Sequence, residues 1–97
     1  MKDYDTEVIA LDEHHKRLCE IVGAKVRYYR TINRMTQTEL AKKLHVTRSV
    51  IGRIEKGTYN QDISLVRLAE IAEALDINMQ YLLTFTKYER NLLDWKE

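Results

Sequence analysis

The chain has 97 residues, of which 44% are apolar and 32% charged, and its formal net charge is +1. This length suits one domain, because a domain needs on the order of 100 residues to enclose a core, and no apolar run approaches the roughly 20 residues that span a bilayer. The N-terminus is acidic, unlike a secretory signal, and Cys19 alone cannot form an internal disulfide. We therefore expect a cytoplasmic protein with no membrane partner.

The charge is unevenly divided along the sequence. Residues 25–57 hold nine bases and two acids, a net charge of +7, whereas the rest holds seven bases and thirteen acids, a net charge of −6. A concentrated positive field suits a polyanion such as DNA. A solvated helix face produces the same pattern, so both interpretations stay open on charge alone.

Apolar spacing and capping residues predict the first two helices. Helix one has Asp12 as a candidate N-cap and an apolar stripe at three- and four-residue steps. The stripe consists of Leu18, Val22, Val26, Tyr29 and Ile32. Thr36 and Glu39 form a capping box that begins helix two.

The next two helices are predicted in the same way. Thr47 is the expected cap of helix three, in which Ile51 and Ile54 point inward, and Gly57 is the left-handed residue that ends it. Ser64 is the expected cap of helix four. The predicted buried face of helix four consists of Leu65, Leu68, Ala69, Ala72 and Leu75.

Residues 77–86 fit two structures. As a helix capped by Asn78, the segment would turn three apolar residues inward, namely Met79, Leu82 and Leu83. As a strand, it alternates apolar and polar residues with a period of two that only Leu82 breaks. Both alternatives stay open. Thr86 and Glu89 make a second capping box, which predicts a short C-terminal helix.

Residues 36–57 form two short helices joined by residues 44–47. So short a linker forces a steep crossing, which is the geometry of a helix-turn-helix unit. Ala41 is small where the helices approach each other, and the wedge between them is filled by Leu40, Leu44, Val46, Ile51 and Ile54. The core needs none of the outward residues, which are Arg48, Ser49, Gly52, Arg53 and Lys56.

The segment MTQTELAKKLHVTRSVIGRIEKG, residues 35–57, resembles the helix-turn-helix of the Cro and phage-repressor (XRE) family. The resemblance covers residues 21–83 and includes the LAEIAEAL helix that follows. It implies an all-α, five-helix DNA-binding domain. The chain departs from the family at His45, where a left-handed glycine is usual and histidine costs little, and in residues 58–62, which lack the family's proline.

The resemblance implies that helix three enters the major groove and that helix two crosses the DNA backbone. Side-chain chemistry then assigns Arg48 to guanine, Ser49 to a base of either kind and Val50 to a thymine methyl. Gly52 lets the helix approach the groove closely, although a glycine in a helix interior costs about 1 kcal/mol against alanine. Arg53 is expected to contact a base or a phosphate.

Phosphate contacts are expected from hydrogen-bond donors near the two helix starts and the following loop. These residues are Thr36, Gln37, Thr47, Lys56, Tyr59 and Asn60. Arg30 and Glu55 match family positions that usually pair, which implies a structural tie between helix one and helix three.

We expect residues 1–17 to be an N-terminal extension, residues 18–86 the DNA-binding domain and residues 87–97 a tail. Because one short helix reads few base pairs, we predict a homodimer on an inverted repeat with half-sites about 34 Å apart. Aromatic anchors are typical of interfaces, so a dimer or partner surface is predicted at Tyr81, Phe85, Tyr88, Leu92 and Trp95. Alternatively, the tail caps the core.

These patterns predict a transcriptional regulator that acts as a repressor. The alternative is an antitoxin that autoregulates its operon and binds a toxin through a terminal segment; an anti-repressor is another possible protein partner. No catalytic residue, metal site or cofactor is predicted, because no nucleophile lies beside a base and no glycine-rich phosphate loop occurs. The adjacent His14 and His15 would point about 100° apart on a helix. We therefore do not expect an enzyme.

Overall fold

The computed structural model describes residues 2–59 and 63–95, with side chains described from residue 13 onward. The described residues form six helices and no strand. The helices are α1 Lys2–Ile32, α2 Gln37–Leu44, α3 Arg48–Lys56, α4 Leu65–Leu75, α5 Gln80–Leu83 and α6 Lys87–Leu92. The all-α prediction is confirmed, and α6 is the expected C-terminal helix.

Residues 77–86 contain a helical turn, so the strand alternative is wrong. α5 follows Asn78, whose Oδ1 accepts a hydrogen bond from the backbone N–H of Gln80 at 2.9 Å. Leu82, the residue that breaks the alternation, is fully buried. A strand would have turned the alternate apolar residues inward, whereas the helical turn places Leu82 in the core.

α1 begins at Lys2, so the prediction that it starts at Asp12 is wrong. No glycine or proline occurs before Gly23, and nothing therefore stops the helix at Asp12. The helix also passes residue 17 without a break. At its other end, Asn33 Nδ2 donates to the carbonyl of Leu75 at 3.3 Å and ties the α1 terminus to α4.

The core lies among α1, α2, α3 and α4 and is completed by α5. Its buried residues include the predicted Leu40, Ala41, Ile51 and Ile54, while Leu44 and Val46 pack at its edge. The core consists of Val22, Val26, Leu40, Ala41, Ile51, Ile54, Leu68, Ile71, Ala72, Leu75 and Leu82.

Four residues predicted to be on buried faces are exposed, and one of them is Leu83 of α5, at 38%. Ile32 is 63% exposed and Leu65 is 65% exposed, because they are the last residue of α1 and the first of α4 and stand outside the contacts between helices. Ala69 is also exposed. Ile71 fills the core in its place, so the buried face of α4 lies further round the helix than the pattern suggested.

α6 is held against α1 by a bidentate ion pair. Lys25 Nζ lies 3.0 Å from both carboxylate oxygens of Glu89 and 5.5 Å from the ring centroid of Phe85. Beyond α6, Leu93 is fully buried, and Trp95 meets Phe85 edge to face with the ring centroids 5.3 Å apart. The tail therefore covers part of the core through Leu93.

We expect the Lys25–Glu89 ion pair to make stability depend on pH. Burial raises the pKa of Glu89, but the Thr86 backbone N–H and the Lys25 ammonium outweigh that effect and hold this pKa below its ordinary value. A carboxyl with a lowered folded-state pKa stabilises the fold above its unfolded pKa and loses that contribution as pH falls through the folded pKa.

Urea denaturation of the wild type and Glu89→Gln tests this expectation. Glu89→Gln should be less stable at about pH 7, and the difference should shrink towards about pH 3, as an increasing share of the wild-type carboxyl takes up a proton. An equal difference in unfolding free energy at both pH values would contradict the expectation.

Candidate nucleic-acid interface

The turn between α2 and α3 depends on a left-handed histidine. His45 has φ 58° and ψ 40°, a conformation that histidine adopts more readily than most residues with a Cβ. The N–H of His45 donates to the carbonyl of Lys42 at 3.3 Å, and the N–H of Val46 donates to that of Ala41 at 3.0 Å. The turn residue expected from the sequence is confirmed, and Ala41, the small residue predicted where the two helices approach each other, is buried.

The two helices of the unit begin differently. Thr36 Oγ1 accepts from the N–H of Glu39 at 3.0 Å, and Glu39 Oε1 accepts from the N–H of Thr36 at 2.8 Å. The hydrogen bonds from the Thr36 backbone and hydroxyl hold the pKa of Glu39 below its ordinary value. Thr47 occupies the N-cap of α3, but its side chain makes no capping hydrogen bond, so that part of the prediction is wrong. The start of α3 therefore keeps N–H groups that suit an anion.

α1 crosses the C-terminal end of α3 with backbone close to backbone. A Cβ built on Gly23 would overlap the carbonyl oxygen of Ile54. Gly57, with φ 77°, is the left-handed residue predicted to end α3, and a Cβ there would come within 2.6 Å of the Glu20 backbone. Both positions favour glycine, and together they fix α3 against α1.

Glu55 joins α1, α2 and α3 in one polar network. Arg30 Nη2 donates to Glu55 Oε1 at 3.1 Å, and Arg30 Nε donates to Oε2. Gln37 Nε2 donates to Glu55 Oε1 at 2.9 Å, and Arg30 Nη1 donates to the carbonyl of Met35 at 2.7 Å. The Glu55 side chain is only 3% exposed. The expected tie between Arg30 and Glu55 is therefore present, and it also includes Gln37.

The predicted base-reading residues lie along the outer side of α3. Arg48, Ser49 and Arg53 are exposed, whereas Val50 is half-buried against the edge of the core. A Cβ built on Gly52 would meet no atom within 4 Å. The fold therefore does not require a glycine at this position, and the space beside it is open.

The predicted phosphate-contacting residues surround this face. Thr36, Thr47 and Lys56 are exposed, Gln37 is half-buried where it meets Glu55, and Tyr59 is half-buried. The Arg53 guanidinium lies 5.9 Å from the Tyr59 ring centroid, a cation–π distance. Asn60 lies outside the described residues.

The predicted dimer or partner residues fall into three places. Phe85 contacts Trp95, and Tyr81 stacks on Tyr29 with the ring centroids 5.8 Å apart. Tyr88 and Leu92 line an open groove between α1 and α6. All but the half-buried Phe85 are exposed.

Two short helices joined by a tight left-handed turn, with exposed basic residues on the second helix, are the arrangement of a DNA-binding helix-turn-helix. A helix-turn-helix family profile matches residues 26–82, more than half of the chain. The chain is a member of the XRE-type helix-turn-helix family. This family consists of DNA-binding regulators and is not a class of enzymes, so the protein is a DNA-binding transcriptional regulator.

Known proteins resemble this regulator over different lengths. An uncharacterised HTH-type transcriptional regulator of Methanocaldococcus jannaschii is 49% identical over 41 residues, which are 42% of this chain and only 62% of that protein. Control protein C.SmaI of Serratia marcescens is 37% identical over 65 residues, 67% of this chain and 75% of the relative. The crystal structure of the restriction-modification controller protein C.AhdI from Aeromonas hydrophila is 33% identical with a TM-score of 0.63, covering 71% of this chain and 96% of that one.

Two further findings concern the described residues of the regulator. None of their helices is both long and apolar enough to cross a membrane. Among the side chains described, those of residues 13–59 and 63–95, no three from His, Cys, Asp or Glu converge in a way that would hold a metal ion. Of the adjacent histidines, His14 is half-buried and His15 is exposed.

Three contacts between distant segments were missed by sequence reasoning, and the first two of them position α3. They are the crossing at Gly23, the bond from Gln37 to Glu55 and the ion pair of Lys25 with Glu89. Only Gly23 carried a signal, because a glycine inside a long helix is costly and often marks a close backbone approach. The two polar contacts join residues 18 and 64 positions apart, which no local pattern reveals.

Gly23→Ala is expected to lower the free energy of unfolding by about 1–3 kcal/mol, because the added methyl forces α1 away from α3. Gly52→Ala is the matched control, since its methyl enters open space and helix propensity should raise stability by about 0.5–1 kcal/mol. Denaturant unfolding measures both. A Gly23→Ala variant whose unfolding free energy equals or exceeds that of the wild type would show that the crossing at Gly23 is not a tight contact.

Proposed function

We propose that this regulator binds a specific double-stranded DNA operator as a homodimer and represses transcription there. The observation that carries the proposal is the outer side of α3. Arg48, Ser49 and Arg53 are exposed and Gly52 borders open space, although the core uses none of them. A face that packing does not explain, on the helix that this family inserts into DNA, is best explained by base recognition.

The chemistry of α3 suits the major groove. Arg48, the first residue of the helix, presents two parallel donors to guanine O6 and N7, and Ser49 donates to or accepts from a base edge. Val50 offers a methyl surface to thymine. Gly52 adds no side chain between the helix and the bases, so α3 lies deeper in the groove than an alanine would permit. Arg53 reaches a base or a phosphate.

The surroundings of α3 suit the phosphate backbone. The hydroxyl of Thr47 makes no capping bond and the first turn of α3 contains no acid, so a phosphate at this helix end meets donors and a favourable dipole. Thr36, Gln37, Lys56 and Tyr59 supply further donors near the starts and ends of the two helices, and Asn60 is proposed to act with them. The net charge of +7 in residues 25–57 adds a field that is independent of sequence.

The homodimer follows from the size of the reading helix. α3 has nine residues and reaches only a few base pairs, too few for a unique site. Two copies related by a two-fold axis would read an inverted repeat with half-sites about 34 Å apart, or a multiple of that distance. A dimer bound across a promoter represses by occupying it.

Similarity to C.SmaI and C.AhdI supports a narrower proposal, that the regulated genes form a restriction-modification operon. One of these proteins is named a control protein, and the other is described as a restriction-modification controller. The antitoxin alternative requires a toxin that co-purifies with the chain. A tagged protein expressed from its native locus that elutes with a toxin would favour that alternative, whereas a homodimer that elutes alone would favour the controller.

Arg48→Ala and Lys56→Ala are expected to affect DNA binding in different ways. Arg48→Ala should cost about 1–3 kcal/mol on the preferred duplex and lose discrimination at one base position in each half-site. Lys56→Ala should weaken binding to all sequences alike and reduce the salt slope by about 1. Fluorescence anisotropy on duplexes with single base changes, repeated across salt concentrations, measures both effects.

Arg67→Ala is the matched control for Arg48→Ala. Arg67 lies on α4, is not one of the proposed DNA-contacting residues, and pairs with Glu70 at 3.2 Å. Its removal should leave both affinity and base preference unchanged. Unchanged base preference in Arg48→Ala would show that α3 does not lie in the groove as proposed.

A further inference from the structure

The outer side of α1 carries a self-complementary stripe. Among its exposed side chains are Arg17, Glu20, Ala24, Arg27 and Tyr28, whose spacing of three and four residues places them along one side of the helix. We call these five residues the α1 stripe. Ala24 is the smallest of them and lies at its centre, with Arg17 and Glu20 on one side along the helix and Arg27 and Tyr28 on the other.

An open groove of about 520 Å³ borders the α1 stripe on the side of α6. Ile21 and Ala24 of α1 line it together with Tyr88 and Leu92 of α6. Tyr88 is 71% exposed and Tyr28, which also lines the groove, is 58% exposed. The core of the chain is complete without these rings, so this aromatic surface is available to a partner.

We propose that a second copy of the chain occupies this groove, with the two α1 helices packed antiparallel about a two-fold axis near Ala24. This inference deepens the proposed homodimer and rests on it. A two-fold contact brings the same surface of both copies together, and a small residue at its centre lets two helices approach closely.

Charge complementarity supports this occupant. In an antiparallel pair centred near Ala24, Glu20 of one copy lies beside Arg27 of the other, and this ion pair occurs twice. Among the described residues, the side chain of Arg27 makes no ion pair or hydrogen bond, and the side chain of Glu20 makes only an exposed contact with Arg17 at 3.6 Å. Opposite charges flanking a helix seam fix partner choice and orientation.

The other flank of the α1 stripe suits an aromatic contact. The antiparallel arrangement places Tyr28 of each copy beside Arg17 of the other, where a guanidinium and a ring attract. Leu92 lines the groove beside Arg17. The ring of Tyr28 would therefore enter the groove of the other copy and lose its contact with water.

The arrangement leaves both α3 helices free. Gly23, where α3 crosses α1, lies about 100° around the helix from Ala24. The two-fold axis is perpendicular to the plane that contains the two antiparallel α1 helices. An element that lies above this plane in one copy therefore lies above it in the other copy too. Both reading helices would then face the same side, as an inverted repeat requires.

Ala24→Glu tests the contact at its centre. Two carboxylates facing each other near the axis should raise the dimer dissociation constant at least tenfold in sedimentation equilibrium. Ala24 is exposed, so thermal unfolding of the variant chain should remain cooperative. Ala69→Glu, the same substitution at an exposed alanine of α4, is the matched control and should leave the dissociation constant unchanged.

Glu20→Arg and Arg27→Glu test the pairing itself. Each variant alone places like charges together and should dissociate, whereas an equimolar mixture should restore a dimer in native mass spectrometry, because each position then meets an opposite charge. A dimer that persists in Ala24→Glu, or a mixture that fails to associate, would overturn this inference and leave the proposed homodimer intact. A wild-type chain that stays monomeric at every concentration would overturn both, without affecting base recognition by α3.

Discussion

In this fold α1 touches the end of α3 backbone to backbone, at Gly23 and Gly57. A side chain at either position would push the two helices apart, so the short distance between α1 and the end of α3 depends on glycine at both positions. The Arg30–Glu55–Gln37 network then fixes the same helix from the side. Because α3 is held at its C-terminal end and along its inner face, the side chains on its outer face are not needed to hold it in place.

Residues that pack in the core and residues that we propose to recognise DNA lie on opposite sides of the same short helix. Ile51 and Ile54 are buried and hold α3 in place, whereas Arg48, Ser49 and Arg53 project outward from the same nine residues. Positive charge collects in residues 25–57 and acids dominate elsewhere. An electrostatic field of this kind orients the molecule on DNA before any base contact forms.

The local features of this fold were readable from the sequence because their causes are local. The capping box at Thr36, the left-handed His45 and the left-handed Gly57 each depend on a few neighbouring residues, and all three are present. The alternation in residues 77–86 wrongly suggested a strand, because Leu82, the residue that breaks the pattern, is the one buried in the core. The start of α1 was misplaced because an aspartate marks an N-cap only where the preceding residues do not continue the helix. No glycine or proline precedes Asp12, and α1 runs through it.

The contacts that join distant segments were not readable in this way. A bond between Gln37 and Glu55 or between Lys25 and Glu89 depends on how whole helices lie together. Exposure at helix ends, as at Ile32 and Leu65, also depends on what the fold places nearby. The outward position of Arg48, Ser49 and Arg53 was predicted correctly, since residues that the core does not need are visible once the buried positions of a helix are known.

Selection of bound duplexes from a random DNA pool tests the central claim most directly, because every candidate operator sequence competes in the same pool. The account predicts enrichment of one inverted repeat, with guanine at matching positions in both halves and half-site centres about 34 Å apart or a multiple of that distance. Enrichment of no common sequence, or of a single asymmetric site, would contradict it.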